Sequence, residues 1–302
     1  MASVPSSSHV RTVALDGVDL HCRVLEHTGK PTLLLLHGYP ENHRMWHRLV
    51  PALAPHFSLV LPDLRGYGRS SKPASLPDAA NQSKRAMAAD MAQLMTALGY
   101  AHFHVAGHDR GARVTHRLAQ DHAARVLSAC VMDIAPTLDV YARIDQVMAT
   151  AYFHWFFLIQ PAPLPERMIG ADPRAWLLGA IERWSQGQLG RFDPAVLDDY
   201  VACFSDPETI RATCDDYRAG AGIDLEHDRA DLGRPLPMPL LVLWGARGIV
   251  GRRYDLRALW DPRAEQASYA AIDCGHFLPE EAPEETAAAM LAFYRAQGVV
   301  PG

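Results

Sequence analysis

The stretch Gly107-His108-Asp109-Arg110-Gly111 constrains this chain more than any other. It follows an apolar run, Phe103 to Ala106, and opens a helical pattern from Ala112 to Gln120. Strand, tight turn and helix in that order, with glycine on both sides of a central reactive residue, have the form of a nucleophile elbow. Glycine is needed there because a turn this sharp has no room for side chains where backbones crowd. The central residue is aspartate rather than serine. A carboxylate attacks carbon well when the leaving group departs from an sp³ centre. The product is an alkyl ester on the enzyme, which water must hydrolyse. The expected chemistry is therefore displacement of a halide or opening of an epoxide, not ester cleavage.

The surrounding pattern supplies a sheet for this elbow. Val10 to Leu15 and Leu20 to Leu25 alternate like a hairpin around Asp16-Gly17. Thr32 to Leu36 is a continuous apolar run, as expected of a strand covered on both faces. A helical stretch near Arg44 to Leu53 follows, then a strand at Ser58 to Leu61 and a glycine-rich loop, Asp63 to Ser70. Ser83 to Leu98 has helical periodicity, and Val126 to Met132 reads as another buried strand, ending at Asp133. The alternation then stops. From about Thr137 to Gly233 the pattern is of short helices broken by proline and glycine, including a turn at Gln160 to Pro165. It resumes with strands at Leu240 to Trp244 and Ala267 to Ile272 and a last helix from Pro283 to Gln297. The fold class is α/β: a mostly parallel central sheet flanked by helices, with a helical cap inserted after the strand ending near Asp133. The expected division is core 1–136, cap 137–233 and core 234–302.

Composition narrows the partners. The net charge of −5 is mild and no Lys/Arg block occurs, which argues against nucleic acid or an anionic membrane. An anionic small substrate would need a local positive site. Five dispersed cysteines without CxxC spacing suggest reduced thiols in a cytoplasmic protein. The first residues, Met-Ala-Ser-Val-Pro-Ser-Ser-Ser, lack the features of a secretory signal, and no run reaches the length of a membrane span. His43 and His47 have i,i+4 spacing but no carboxylate partner in that pattern, so they read as a solvated helix face and no metal is expected.

An ester on Asp109 needs a general base. His276 is the best candidate, in the loop Asp273-Cys274-Gly275-His276-Phe277 after the last strand. The base needs a carboxylate to fix its tautomer. Asp133 takes that role, because the other common position, Trp244-Gly245-Ala246-Arg247-Gly248, has no acid. Nucleophile, acid, histidine is the chain order of α/β-hydrolases. Backbone N–H groups of Tyr39, in His37-Gly38-Tyr39-Pro40, and of Arg110 would form the oxyanion hole. Arg110 and Arg113 share a face at the start of the elbow helix, where their charge opposes the helix dipole. A substrate carboxylate would satisfy both arginines and the helix end; salt bridges to nearby acids are the alternative.

These residues resemble the fluoroacetate dehalogenases, α/β-hydrolases with a helical cap. Gly107 to Arg113, Asp133, His276 and the cap segments Tyr152 to Pro173 and Cys214-Asp215-Asp216-Tyr217 carry the resemblance, which spans nearly the whole chain. It implies that Asp109 is the nucleophile, His276 the base and Asp133 its partner, with Arg110 and Arg113 on the substrate carboxylate. It also implies that His154, Trp155 and Tyr217 donate hydrogen bonds to the departing fluoride; from patterning alone, Trp155 and its aromatic neighbours read as cap core. Fluoroacetate would yield glycolate without metal or organic cofactor, in a homodimer. One departure stands out: Tyr39 occupies a place where the family usually has phenylalanine.

Two other enzyme readings use the same machinery. An epoxide hydrolase shares the aspartate, histidine and cap, and Tyr141, Tyr152 and Tyr217 could supply the phenols it needs. It usually has tryptophan where Arg110 stands. A haloalkane dehalogenase has a neutral substrate and nothing for two arginines to bind. A non-catalytic ligand-binding relative would not need nucleophile, base and acid together.

Overall fold

Thr32–Leu36, Ser58–Pro62 and Phe103–His108 contain no exposed residue in the computed structural model, which describes residues 7–301. They are the middle of an eight-stranded sheet with strands β1 (Ser7–Leu15), β2 (Val18–Glu26), β3 (Thr32–Leu36), β4 (Ser58–Pro62), β5 (Phe103–His108), β6 (Val126–Met132), β7 (Leu240–Gly245) and β8 (Ala267–Ile272). Spatial order is β1-β2-β4-β3-β5-β6-β7-β8. The hairpin β1–β2 pairs antiparallel, as do β2 and β4. Every later pairing is parallel. Leu15 pairs with Val18, so Asp16-Gly17 is the two-residue turn that the alternation suggested. The N-terminal residues up to Ser6 lie outside the described part.

Helices cover both faces of the sheet. On the core side they are α1 (Val50–Leu53), α2 (Lys84–Ala97) and α3 (Arg110–Asp121). Apolar side chains at Met87, Met91, Leu94 and Met95 turn one stripe of α2 inward, and Ser83 caps its start by accepting from Ala86 N–H. The helix read over Arg44 to Leu53 is in fact two pieces. A tight 3₁₀ segment, His43–Arg48, precedes α1, and Pro51 lies in the first turn of α1, where its missing N–H costs nothing.

Between β6 and β7 the chain forms eight helices: α4 (Thr137–Ala142), α5 (Gln146–Ala151), α6 (Phe153–Leu158), α7 (Leu164–Ala171), α8 (Pro173–Trp184), α9 (Pro194–Phe204), α10 (Pro207–Ala221) and α11 (Ile223–Ala230). Proline opens α8, α9 and α10, each after an aspartate that caps the helix. The core resumes with α12 (Ile249–Arg253), α13 (Leu256–Trp260), α14 (Leu278–Glu281) and α15 (Pro283–Ala296). Among the described residues no helix is long and apolar enough to cross a membrane.

This topology gathers one set of loops. Tyr39 follows β3, Asp109 follows β5, Asp133 follows β6 and His276 follows β8. Parallel strands end on the same side of the sheet, which is where open α/β sheets place their sites. The helices between β6 and β7 reach the same end of the sheet, where Asp216 of α10 bonds Tyr67 and Arg110.

Candidate active site

Asp109 sits on a backbone that few residues tolerate, with φ 47° and ψ −114°. Such strain persists only where the surroundings enforce it. Asp109 N–H is tied to the Met132 carbonyl at 3.1 Å, and its own carbonyl accepts from Arg113 N–H at 3.2 Å. The flanking glycines have a steric reason. A Cβ at Gly107 would lie 2.3 Å from the Gly111 carbonyl oxygen, and one at Gly111 would lie 2.3 Å from that of His37. Strand, elbow and helix can touch only without those side chains.

The three residues expected to do the chemistry come together. His276 Nδ1 lies 2.5 Å from Asp133 Oδ2, and His276 Nε2 lies 3.9 Å from Asp109 Oδ2. Asp133, also at positive φ (53°), anchors its other oxygen on Gly245 N–H at 2.9 Å. That is the strand end that lacked an acid; it holds the acid from β6 instead. Tyr39 N–H donates to Asp109 Oδ1 at 3.1 Å, and Arg110 opens α3 with an amide in the unpaired first turn. The Tyr39 hydroxyl accepts from cap Trp176 Nε1 at 2.6 Å. The oxygen that phenylalanine would lack thus ties core to cap.

Electrostatics act in opposite directions on Asp109 and His276. Burial alone would raise the Asp109 carboxyl, but His276, His108, Arg110 and Arg113 outweigh it and hold the acid below its usual range. Burial alone would lower His276. The hydrogen bond and charge of Asp133, with Asp109 and Glu281 beyond, raise it instead. His108, next to Asp109, is pushed down to about 4 by burial and the His276 charge, and stays neutral.

The two arginines part company. Arg110 Nε and Nη2 grip the Asp216 carboxylate at 2.9 and 2.6 Å, and Nη2 also bonds the Asp216 carbonyl at 2.7 Å. Asp216 holds Lys84 and Tyr67 as well, the latter at 2.6 Å. Arg110 already has an anion, supplied by α10. Arg113 has none. Its Nη1 bonds the Ala135 carbonyl at 3.1 Å and Thr137 Oγ1 at 2.8 Å, and its Nε is buried without a partner among the described residues. Burial and the Arg110 charge push this guanidinium down. An incoming carboxylate would offset both effects.

His154, Trp155 and Tyr217 are all buried beneath the cap. Tyr217 rings lie 5.7 Å from His154 and 6.2 Å from Trp155, centroid to centroid. His154 Nδ1 has no partner among the described residues, and burial pushes the imidazole down to about 3, leaving it neutral. Arg110 stacks on Tyr217 and Arg113 on Trp155, at 4.2 and 4.7 Å.

A cavity of about 200 Å³ reaches this cluster. Asp109, His276, His154 and Trp155 line it, together with Tyr152 and Trp184, whereas Arg110, Arg113 and Tyr217 stand behind the lining. Trp184 was not legible in the sequence as a site residue. Its ring lies 4.5 Å from His154 and 5.8 Å from His276. Asp216 was equally silent, although it adjoins Tyr217 in a segment already singled out.

The histidine pair near the start of the chain needs correcting. His43 is buried rather than solvated. Its backbone N–H and Nδ1 lie 2.9 and 2.7 Å from Asp63 Oδ1. His21, His43 and Asp63 bring potential metal-ligating atoms within 4.8 Å of one another. Asp63, however, spends Oδ1 on His43 and Oδ2 on Arg69 N–H at 2.7 Å. His43 outweighs burial and lowers its carboxyl to about 2. Both oxygens are engaged in closing the loop after β4.

Comparison with known proteins agrees with this architecture. The family described as alpha/beta hydrolase fold matches residues 31–283. Fluoroacetate dehalogenase of Burkholderia sp is 44% identical over 283 residues, covering 94% of this chain and 92% of that protein. The soluble epoxide hydrolase of Corynebacterium sp. (strain C12) is 31% identical, covering 93% and 95%. Among solved structures, ALR0039 of Nostoc sp PCC 7120 superposes with a TM-score of 0.93 at 51% identity, covering 95% of this chain and 98% of that one. The chain therefore belongs to the alpha/beta hydrolase fold family, among the relatives of fluoroacetate dehalogenase.

Proposed function

We propose that this protein is a haloacetate dehalogenase that converts fluoroacetate to glycolate and fluoride. The observation that carries the reading is Arg113: a buried guanidinium without an acidic partner, one helical turn from an activated aspartate. The 44% identical relative named for this activity supports it. In the proposed cycle the substrate carboxylate docks on Arg113, beyond the residues that line the cavity, with Arg110 beside it. Asp109 Oδ2 attacks the α-carbon in line, and the C–F bond breaks with its electron pair leaving on fluoride. His154, Trp155 and Tyr217 donate to the developing anion. Neutral donors placed beforehand suit a poor leaving group. His276 Nε2 then takes a proton from water, whose oxygen attacks Asp109 Cγ. The oxyanion forms on Oδ1, against the N–H groups of Tyr39 and Arg110. Collapse releases glycolate, which takes the proton from His276, and the Asp109 carboxyl then loses the second water proton. Fluoroacetate and water thus give glycolate, fluoride and one proton, with no cofactor.

A second reading is epoxide hydrolysis. Tyr152 lines the cavity beside Asp109, and a 31% identical relative carries that name. Incubation with fluoroacetate, chloroacetate and styrene oxide separates the two. Halide from the haloacetates is expected. Diol from styrene oxide without halide would overturn the dehalogenase reading in favour of the second.

A further inference from the structure

The loop that carries His276 is held on every backbone group near the base. Glu281 Oε2 accepts from Gly275 N–H at 2.8 Å, and Glu281 Oε1 accepts from Phe277 N–H at 2.9 Å. One buried carboxylate thus spans the residues on either side of His276. The amide of His276 itself donates to the Trp184 carbonyl at 3.1 Å, at the end of cap helix α8. Its carbonyl faces His108 Nε2 at 2.8 Å. The fit is close: a Cβ at Gly275 would lie 2.8 and 2.9 Å from the two Glu281 oxygens and 2.7 Å from the Trp184 carbonyl. Glu281 is fixed in turn by α14, whose end is gripped by Arg191 Nη1 on the Glu281 carbonyl at 2.9 Å.

We propose that Glu281 is a positioning residue for His276, clamping the amides on both sides of the base so that the ring stays between Asp133 and Asp109. This rests on the reading of His276 as the base for ester hydrolysis. A carboxylate is the only common side chain that offers two acceptor oxygens and no donor. Glutamine would present an NH₂ group to one of the two amides. Glu281 also adds negative charge near the imidazole, with the same sign of effect as Asp133 and Asp109. His108 and His154, both neutral, also act on the ring, and Tyr152, Arg183 and Arg252 line the same cavity.

The test compares wild type with Glu281→Gln and Glu281→Asp in the full chain. The first readout is NMR titration of the His276 ring without substrate. The second is halide released in the first turnover against steady-state turnover, using a haloacetate that the wild type consumes. Glu281→Gln is expected to make His276 titrate at lower pH. First-turnover halide should persist while ester hydrolysis slows about 10²-fold, the order expected for misplacing a reacting group by about 1 Å. Glu281→Asp keeps the charge but falls short of both amides, so it should bring the titration back toward wild type while hydrolysis stays slow. A lower melting temperature with unchanged titration and unchanged partition between the two steps would overturn the proposal. If Glu281→Gln does not fold, Glu281→Asp decides: wild-type hydrolysis in that variant is the contrary result. A wild type that releases no halide would sink the dehalogenase reading instead, and the titration would still judge Glu281.

Discussion

His276 Nε2 stands 3.9 Å from Asp109 Oδ2, beyond hydrogen-bond reach, while its Nδ1 is bonded to Asp133. A serine nucleophile must give its proton to the histidine. An aspartate has none to give, so the base can stand back and leave space for water. Asp133→Asn should expose the division of labour. The asparagine carbonyl can still accept from Gly245, which turns its NH₂ toward His276 and imposes the wrong tautomer. Turnover should fall by a factor on the order of 10⁴, the loss known for this change in a serine triad. Halide from the first turnover, measured by rapid quench, should survive.

The arginines should separate in mutagenesis. Arg113→Leu removes the guanidinium that has no internal anion, and should cost about 2–5 kcal/mol in kcat/KM for haloacetates. Its effect on folding should be modest, since it breaks no ion pair. Asp216→Asn does the reverse. It leaves Arg110 and Lys84 buried without their shared carboxylate, and should cost about 3–5 kcal/mol of stability. Thermal or denaturant unfolding of the two variants makes the comparison.

Tyr217→Phe tests the leaving-group pocket. The substitution keeps the ring over Arg110 and deletes one donor. Removing one such donor to a developing anion costs about 10²–10³ in rate. The loss should be largest for fluoroacetate and small for bromoacetate, because bromide departs with far less help. Equal losses on both substrates would place Tyr217 outside the halide pocket.

The pH dependence follows from the raised His276 value. The base must be neutral to accept a proton, so turnover should fall as pH drops through its pKa. Asp109 contributes to that rise only while charged. Once it is an ester, its contribution is gone. The acidic limb of ester hydrolysis should therefore lie at lower pH than the His276 titration in the free protein, measured by NMR. For stability the sign is opposite. Charged His276 is favoured in the fold, so its contribution is present below the ordinary value near 6.5 and lost as pH rises through the folded value.

Much of this was legible in the chain because it is local. The elbow spans five residues, each central strand is a continuous apolar run, and the cap begins where strand–helix alternation stops. The failures are long-range or steric. Arg110 and Asp216 are 106 positions apart, and only the folded cap brings them together. His43 looked solvated because nothing in its neighbourhood announces Asp63, which arrives from the end of β4. Nothing in the sequence marked Glu281 as part of the site. Its bond to Gly275 depends on a loop curling back over itself. Proline at position 51 was visible, yet the 3₁₀ segment before it, which buries Met45 and Trp46, was not.

Intact-protein mass spectrometry of His276→Asn after exposure to fluoroacetate tests the covalent displacement most directly. The base is absent but the nucleophile, the arginines and the halide pocket remain. One carboxymethyl group should accumulate on the protein, with one equivalent of fluoride released, and peptide mapping should place the group on Asp109. Fluoride release by the wild type with no adduct on His276→Asn would contradict attack by Asp109.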